Sequence, residues 1–475
     1  MGRPRDSPSR RHRSCTLSGA GTSKSRSNER HRRRSPHSRN PPNGATIAPP
    51  GASVATDWCS ARGFDYALRA GVVCLPVQLL TAQQVLIGPS GEKLSPGAVL
   101  VDGEVIVAVG TVRDVESQAP RNVQLLEFPD GTILPGLINS HVHLAFGADK
   151  DIVDTLVRID DSDLLQSMAD RARQHAAAGV TTVRDLGDRR GLITRLRDSI
   201  ERGELVGPRI LAACAPLTPP GGHCHFLGGE VSGAEEIRTR IGYNAELGAD
   251  VIKVMGNGGQ MTPDGPGMAD AQFEAEELRL IVEEAHRRNL PVAIHAYATE
   301  TIAAAVNAGV DTIEHCTFVG VDGKPDVRDS IAKAMASAGI AASPALPSGW
   351  RQMWDMLGPE RSQAIASRLK WLMAQGVPIL FGSDAGVPIS QHGDPVSTLE
   401  LYEHIGVPPS TVLELATTGS ARTLGLSDRT GSLRAGLAAD LVAVDGDPLV
   451  DLQALRSPEL VLSRGRAVVR PQSSA

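Results

Sequence analysis

Aromatic residues are scarce in this 475-residue chain, at 3%, with four Trp, four Tyr and seven Phe. Its core must therefore be packed with Val, Leu, Ile and Ala, which suits helices laid closely on a parallel sheet. No C-x-x-C pair occurs among the six cysteines, Cys15, Cys59, Cys74, Cys214, Cys224 and Cys316, and a chain this long needs no disulfide staples. They read as reduced thiols, mostly buried. No apolar run nears the roughly 18 to 20 residues that cross a bilayer, and the start lacks the apolar stretch of a secretory signal. The expectation is a cytoplasmic chain with no membrane partner.

Acidic charge is nearly missing from one end. Residues 1–40 carry twelve Lys/Arg against two acids, Asp6 and Glu29, which leaves 36 against 52 in the remainder, a balance of −16. Residues 1–62 are rich in Arg, Ser, Pro and Gly and have too little apolar surface to offset the entropy of ordering, so they read as a disordered basic tail. A transit peptide, a nucleic-acid-binding arm and an upstream start-site artefact all fit that composition. Any nucleic-acid contact through it would be nonspecific and sensitive to salt.

What is present is ordered by periodicity. From residue 63 to 133 short alternating runs are broken by turns, as in "GAVLVDGEVIVAVG" with Asp102-Gly103 as a hairpin signal. A similar texture returns over 428–475, in "GSLRAGLAADLVAVDGDPLV" and "ELVLSRGRAVV". The two stretches are expected to pair into one small split β-sandwich domain. Between them, over 134–427, apolar runs alternate with helical spacing: "TILPGLINSHVHL", "VTTVRDLG", "RILAACAPL", "VIKVMGNGG", "VAIHAYA", "TIEHCTF", "IAASPAL" and "PILFGSDAG". Eight such units predict an α/β fold, a (β/α)8 TIM-like barrel inserted in the β domain.

In such barrels chemistry gathers where strands end. The first run ends in His141-Val142-His143, whose alternate residues share a face and can chelate one cation. Lys253 follows Val251-Ile252 in a buried run, where an ammonium is desolvated unless paired. A salt bridge is one reading. The other is a free amine that adds carbon dioxide, giving a carbamate that bridges two cations. His295, His315 and Asp384 end the fifth, sixth and eighth runs. Asp384, in "GSDAG", is suited to binding a metal and accepting a proton, or to capping the following helix. Each residue alone has a structural explanation. Six candidate ligands at five strand ends are much harder to explain that way.

"PGLINSHVHL", "VIKVMGNGG", "AIHAYA", "IEHC" and "FGSDAG" resemble the motifs of the amidohydrolase superfamily, over roughly residues 64 to 470. The nearest texture is the imidazolonepropionase-like branch that includes proline dipeptidase-type enzymes. That resemblance implies His141, His143 and Asp384 on one metal, His295 and His315 on a second, and carboxylated Lys253 on both. It further implies a metal-bridging hydroxide that attacks an amide or peptide carbonyl, with Asp384 passing the proton to the leaving nitrogen. The cofactors expected are two divalent ions, zinc first, though the donor set also accepts manganese, cobalt or iron.

Around this centre, His223 and His225 in "PPGGHCHFLGG" are expected to reach the substrate, with His225 preferred. Tyr297 is a candidate for a substrate carboxylate, and Arg184 for an anionic group or for pairing with Asp185 or Asp188. Trp350 and Trp354 are expected beside the mouth. His295-Ala-Tyr297-Ala stands where many superfamily members have His-Ala-His-Gly, which favours a dipeptide or N-acyl amino acid over a cyclic amide. A hydrolase or deaminase of cyclic amides is the alternative, and homo-oligomerisation is left open.

Overall fold

The computed structural model describes residues 75–88, 91 and 93–471. The basic tail and Cys15, Cys59 and Cys74 lie outside them. Strands from both ends of the chain meet in one eight-stranded sheet: β1 (Gln78–Leu86), β2 (Lys93–Leu94), β3 (Gly97–Asp102), β4 (Val105–Gly110), β5 (Gln124–Pro135), β13 (Leu441–Asp445), β14 (Leu460–Ser463) and β15 (Arg466–Val469). The hydrogen bonds make one continuous sheet where the sequence suggested a sandwich, because the 12-residue β5 serves two neighbours. Its first residues pair in parallel with β1 and its last, from Gly131, pair antiparallel with β13. Leu80, Val99, Ile133, Leu441 and Leu462 form the apolar layer beneath it.

The intervening chain is a succession of strands and helices. Parallel strands β6 (Leu137–Val142), β7 (Val180–Asp185) and β8 (Arg209–Ala212) form one sheet. Strands β9 (Ile252–Met255), β10 (Val292–Ala298), β11 (Thr312–Val319) and β12 (Ala341–Ser343) form another, also parallel. Every residue of β6, β7, β9 and β12 is buried, the mark of strands covered on both faces. Backbone contacts join the two sheets at both edges. Leu217 bridges to Val254, and Asp250 N donates to Ala212 O at 2.7 Å. On the other side Ala342 bridges to Ile379, and Ser140 N donates to Phe381 O at 2.8 Å.

Helices between the strands begin where their sequences supply caps. Asp160 accepts from Ser162 N and Asp163 N ahead of the Asp161–Ala177 helix, and Asp394 caps the Pro395–His404 helix, with proline in its first turn. Gly136 separates β5 from β6, and any side chain there would press on Thr181, with Cβ 2.1 Å from its Oγ1. Cys214, Cys224 and Cys316 are buried free thiols, as expected. Among the described residues no helix is long and apolar enough to cross a membrane.

Candidate active site

His141 is the centre of the site. It ends β6 with no exposed surface, and its Nδ1 lies 2.8 Å from Glu314 Oε2. The other Glu314 oxygen accepts from Arg184 Nη2 at 2.8 Å and from Thr312 Oγ1 at 2.7 Å. Burial alone would raise the Glu314 pKa. Arg184, then His141 and Lys253, overcome it and hold the carboxyl well below its usual range. An ionised Glu314 requires the proton of His141 on Nδ1, so Nε2 carries a lone pair. Burial, the largest influence, keeps the ring neutral by lowering its pKa.

That bare Nε2 faces Asp384 Oδ1 at 3.3 Å, and His143 Nε2 reaches the same oxygen at 3.3 Å. Burial works against the Asp384 charge, but His141, His143 and His315 outweigh it and hold the carboxyl well below its ordinary range. Neither His141 Nε2 nor Asp384 Oδ1 has a hydrogen-bond partner among the described residues. Two acceptors pointing at one another without a proton between them is an arrangement a cation satisfies. Ligand atoms of His141, His315 and Asp384 all lie within 4.8 Å of one another. The donor set thus fits a metal.

His315 and Asp384 share an unusual backbone. Their φ angles are +63° and +53°, in the left-handed region that costs an L-residue roughly 1–2 kcal/mol. The strain is held by close packing: a Cβ on Gly382 would lie 2.6 Å from Ser343 Oγ and 2.9 Å from His141 Cβ. Asp384 N also donates to His141 O at 2.9 Å, tying the eighth segment to the first strand.

Lys253 and His295 complete the wall. Lys253 is 1% exposed, and burial lowers its pKa to about 8 even though Glu314 and Asp384 favour the ammonium. His295 is buried, its ring 4.6 Å from that of His315, and burial followed by His315 keeps it neutral far below its usual range. Tyr297 stacks on His315 at 4.8 Å, and burial ahead of Asp384 raises its pKa, so its hydroxyl keeps its proton. Its backbone N–H, with that of Ala298, is held by Asn257 Oδ1 at 2.9 and 3.0 Å.

These groups open into a cavity of about 720 Å³ that takes in all six candidate ligands, His223 and Tyr297. His223 stands 4.9 Å from His295, with Nδ1 3.0 Å from Thr262 Oγ1, and burial lowers its pKa to about 4. Three placements differ from the sequence expectation. His225 opens a short 3-10 turn, His225–Leu227, off the cavity wall, because the left-handed Cys224 (φ +57°) turns the chain after His223. Arg184 is not on the cavity wall either and pairs with neither Asp185 nor Asp188; Glu314, Thr312 and Ser140 O take its donors. Trp350 and Trp354 pack on each other and on His404, and from that helix Met356 reaches the cavity instead.

Glu314 stands in "IEHC" with no role that the motif marks, and its pairing with Arg184 is not among the partners that the sequence suggests for that arginine. The signal for both lies in the opposite charges that two apolar runs bury, which must pair somewhere.

Polar groups at the ends of parallel strands, converging on one metal-competent cavity, define a hydrolase-type centre in a mixed α/β chain. The chain belongs to the amidohydrolase family, whose model matches residues 132–468. It is 29% identical to an ochratoxinase of Aspergillus niger over 417 residues, 79% of this chain and 83% of that protein. It is 26% identical to an imidazolonepropionase of Anaeromyxobacter sp. (strain K), over 75% of this chain and 86% of the relative. A Xaa-Pro dipeptidase crystallised with methionine in its active site superposes with a TM-score of 0.71 at 27% identity, covering 82% of this chain and 99% of that one. The chain is a hydrolase acting on carbon–nitrogen bonds.

Proposed function

We propose that this chain hydrolyses the amide or peptide bond of a small substrate, such as an N-acyl amino acid or a dipeptide, using two divalent cations. The reading takes residues 134–427 as a closed (β/α)8 barrel and 63–133 with 428–475 as a split β domain; the backbone contacts joining both sheet edges support the closure. The observation that carries it is the meeting of two unprotonated acceptors, His141 Nε2 and Asp384 Oδ1, 3.3 Å apart in a buried cavity.

His141, His143 and Asp384 would hold one cation, His295 and His315 the other, and Lys253, as its carbamate, both. Zinc is the first candidate for such donors. When bound, the cations bring the pKa of a water toward neutrality and polarise the scissile carbonyl. The Asp384 carboxylate would accept a proton and deliver it to the leaving nitrogen. Glu314 and Arg184 fix the tautomer that keeps His141 Nε2 free to donate its lone pair. Tyr297 and His223 face the same space and would donate hydrogen bonds to substrate oxygen atoms.

The test is metal content of the purified protein together with amino-acid release from N-acyl amino acids and from Xaa-Pro or Xaa-Arg dipeptides, with Lys253→Ala as control. Two cations per chain and turnover abolished in the control support the reading. No metal under replete conditions sinks it. Two cations without turnover move the substrate to a cyclic amide, the second reading, which the likeness to imidazolonepropionase favours.

A further inference from the structure

Methionine is concentrated at this cavity. Four of the nine methionines in the chain, Met255, Met261, Met268 and Met356, line it. They come from three places in the sequence: the end of β9, the loop that follows it, and the Trp350–Ala374 helix. That helix is broken at Gly358 (φ +77°) ahead of Pro359, and Met356 at the break is 75% exposed. A solvent-facing methionine at a cavity mouth contributes little to the fold, and its thioether is free to move.

Charge is distributed unfavourably for a small zwitterion. Among the described residues no arginine lines the cavity, and its lysines are the buried Lys253 and the exposed Lys150. Asp151 and Asp154 stand with Lys150 on the same stretch of wall. A dipeptide needs both charged ends matched at short range, and its small volume leaves most of about 720 Å³ unfilled. Cavities of about 300–1,000 Å³ enclose drug-sized ligands, with apolar walls supplying most of the contact.

Resting on the amide-hydrolase reading above, we propose that the methionine wall is a specificity element. It selects amides that carry a bulky aromatic or long apolar group on one side of the scissile bond, in preference to small polar dipeptides. Thioethers contact ring edges favourably and repack around differing shapes, so the wall accepts a range of aromatic groups. The chemistry of cleavage stays with the strand-end residues, and the wall contributes binding that distinguishes large substrates from small.

The experiment compares kcat/KM of the metal-loaded enzyme on N-acetylalanine, N-acetylphenylalanine, N-naphthoylalanine and N-naphthoylphenylalanine. The expected result is a rise of at least about tenfold from the smallest member to the best aromatic one, the discrimination that an apolar pocket supplies. In the double variant Met268→Gln with Met356→Gln that ratio collapses toward one, whereas Met268→Leu with Met356→Leu retains it. Metal content and circular dichroism matching the parent chain exclude misfolding as the cause. Turnover of all four substrates at similar rates overturns the methionine wall as a selector and leaves the hydrolase reading standing. Failure to cleave any of them with both cations bound overturns the reading itself.

Discussion

The floor and the rim of the cavity are built on different principles. On the floor, His141 and Lys253 are nearly or fully buried, and behind them the buried Glu314 carboxylate, paired with Arg184, has three partners within 2.8 Å. On the rim, Lys150 and Met356 are exposed, and few hydrogen bonds fix the side chains around them. The floor positions lone pairs to within fractions of an ångström, as bond cleavage requires. The rim offers surface that can rearrange, as recognition of a bulky group requires. On the proposed reading one cavity separates reaction from selection, and substitutions in the two layers should differ in kind as well as in size.

The largest effect belongs to Asp384. Asp384→Asn removes the proposed proton acceptor while keeping the volume, and kcat is expected to fall by about 10²–10⁴-fold with little change in KM. Steady-state kinetics with matched metal content decide this; a fall confined to KM would move Asp384 from the floor's chemistry to the rim's binding.

Glu314→Gln comes next and acts through His141. It leaves Arg184 as an unpaired buried charge, with an expected loss of about 3–5 kcal/mol in chemical denaturation. It also releases the His141 tautomer, and metal affinity measured against a competing chelator should drop about 10–100-fold. The double variant Glu314→Gln with Arg184→Met separates the two effects. Stability is expected to recover because no charge is stranded, while metal affinity stays low because His141 still lacks its carboxylate. Recovery of both would reduce Glu314 to a structural counter-ion.

Tyr297→Phe tests the boundary between layers. The hydroxyl is held by no described partner, so its loss should cost about tenfold in kcat/KM and leave stability close to that of the parent chain. An effect as large as that of Asp384→Asn would place Tyr297 on the floor.

How far the sequence revealed this layering follows from backbone regularity. His141 lies on β6 and His143 directly follows its last residue, and both contact Asp384, as a continued two-residue period requires. The same rule fails at β11. Glu314 and His315 are consecutive, so an ideal strand would send them to opposite faces, yet Glu314 bonds to His141 and His315 clusters with His141 and Asp384. Positive φ at His315 and Cys316 breaks the alternation, and no pattern of apolar and polar residues encodes that break. Loops were less legible still. His223 and His225 look equivalent in "GGHCHF", and only the left-handed turn at Cys224 separates one from the cavity. Composition signalled an aromatic-poor core, but gathering four methionines on one wall is a property of the folded chain.

The smallest predicted effect lies behind the floor and concerns pH. His392 Nε2 donates to Phe146 O at 2.8 Å, so its Nδ1 accepts from His175 Nε2 at 3.1 Å. Phe146 in turn stacks on His143 at 5.0 Å. Burial lowers the His392 pKa to about 4, and burial followed by His392 lowers that of His175 well below its usual value. The folded chain therefore keeps both rings neutral, whereas the unfolded chain takes up protons below about pH 6.5. Their contribution to stability is fully present above that value and is lost as pH falls from about 6.5 toward 4. His392→Asn removes one of the two titrating rings and keeps a donor for Phe146 O. Between pH 7 and pH 5 the variant should lose less stability than the parent chain, by on the order of 1–2 kcal/mol for the single ring removed. Denaturation at both values, in one metal-loaded state, measures the difference. Parallel losses in the two proteins would show that the acid sensitivity arises elsewhere, in the histidines of the floor.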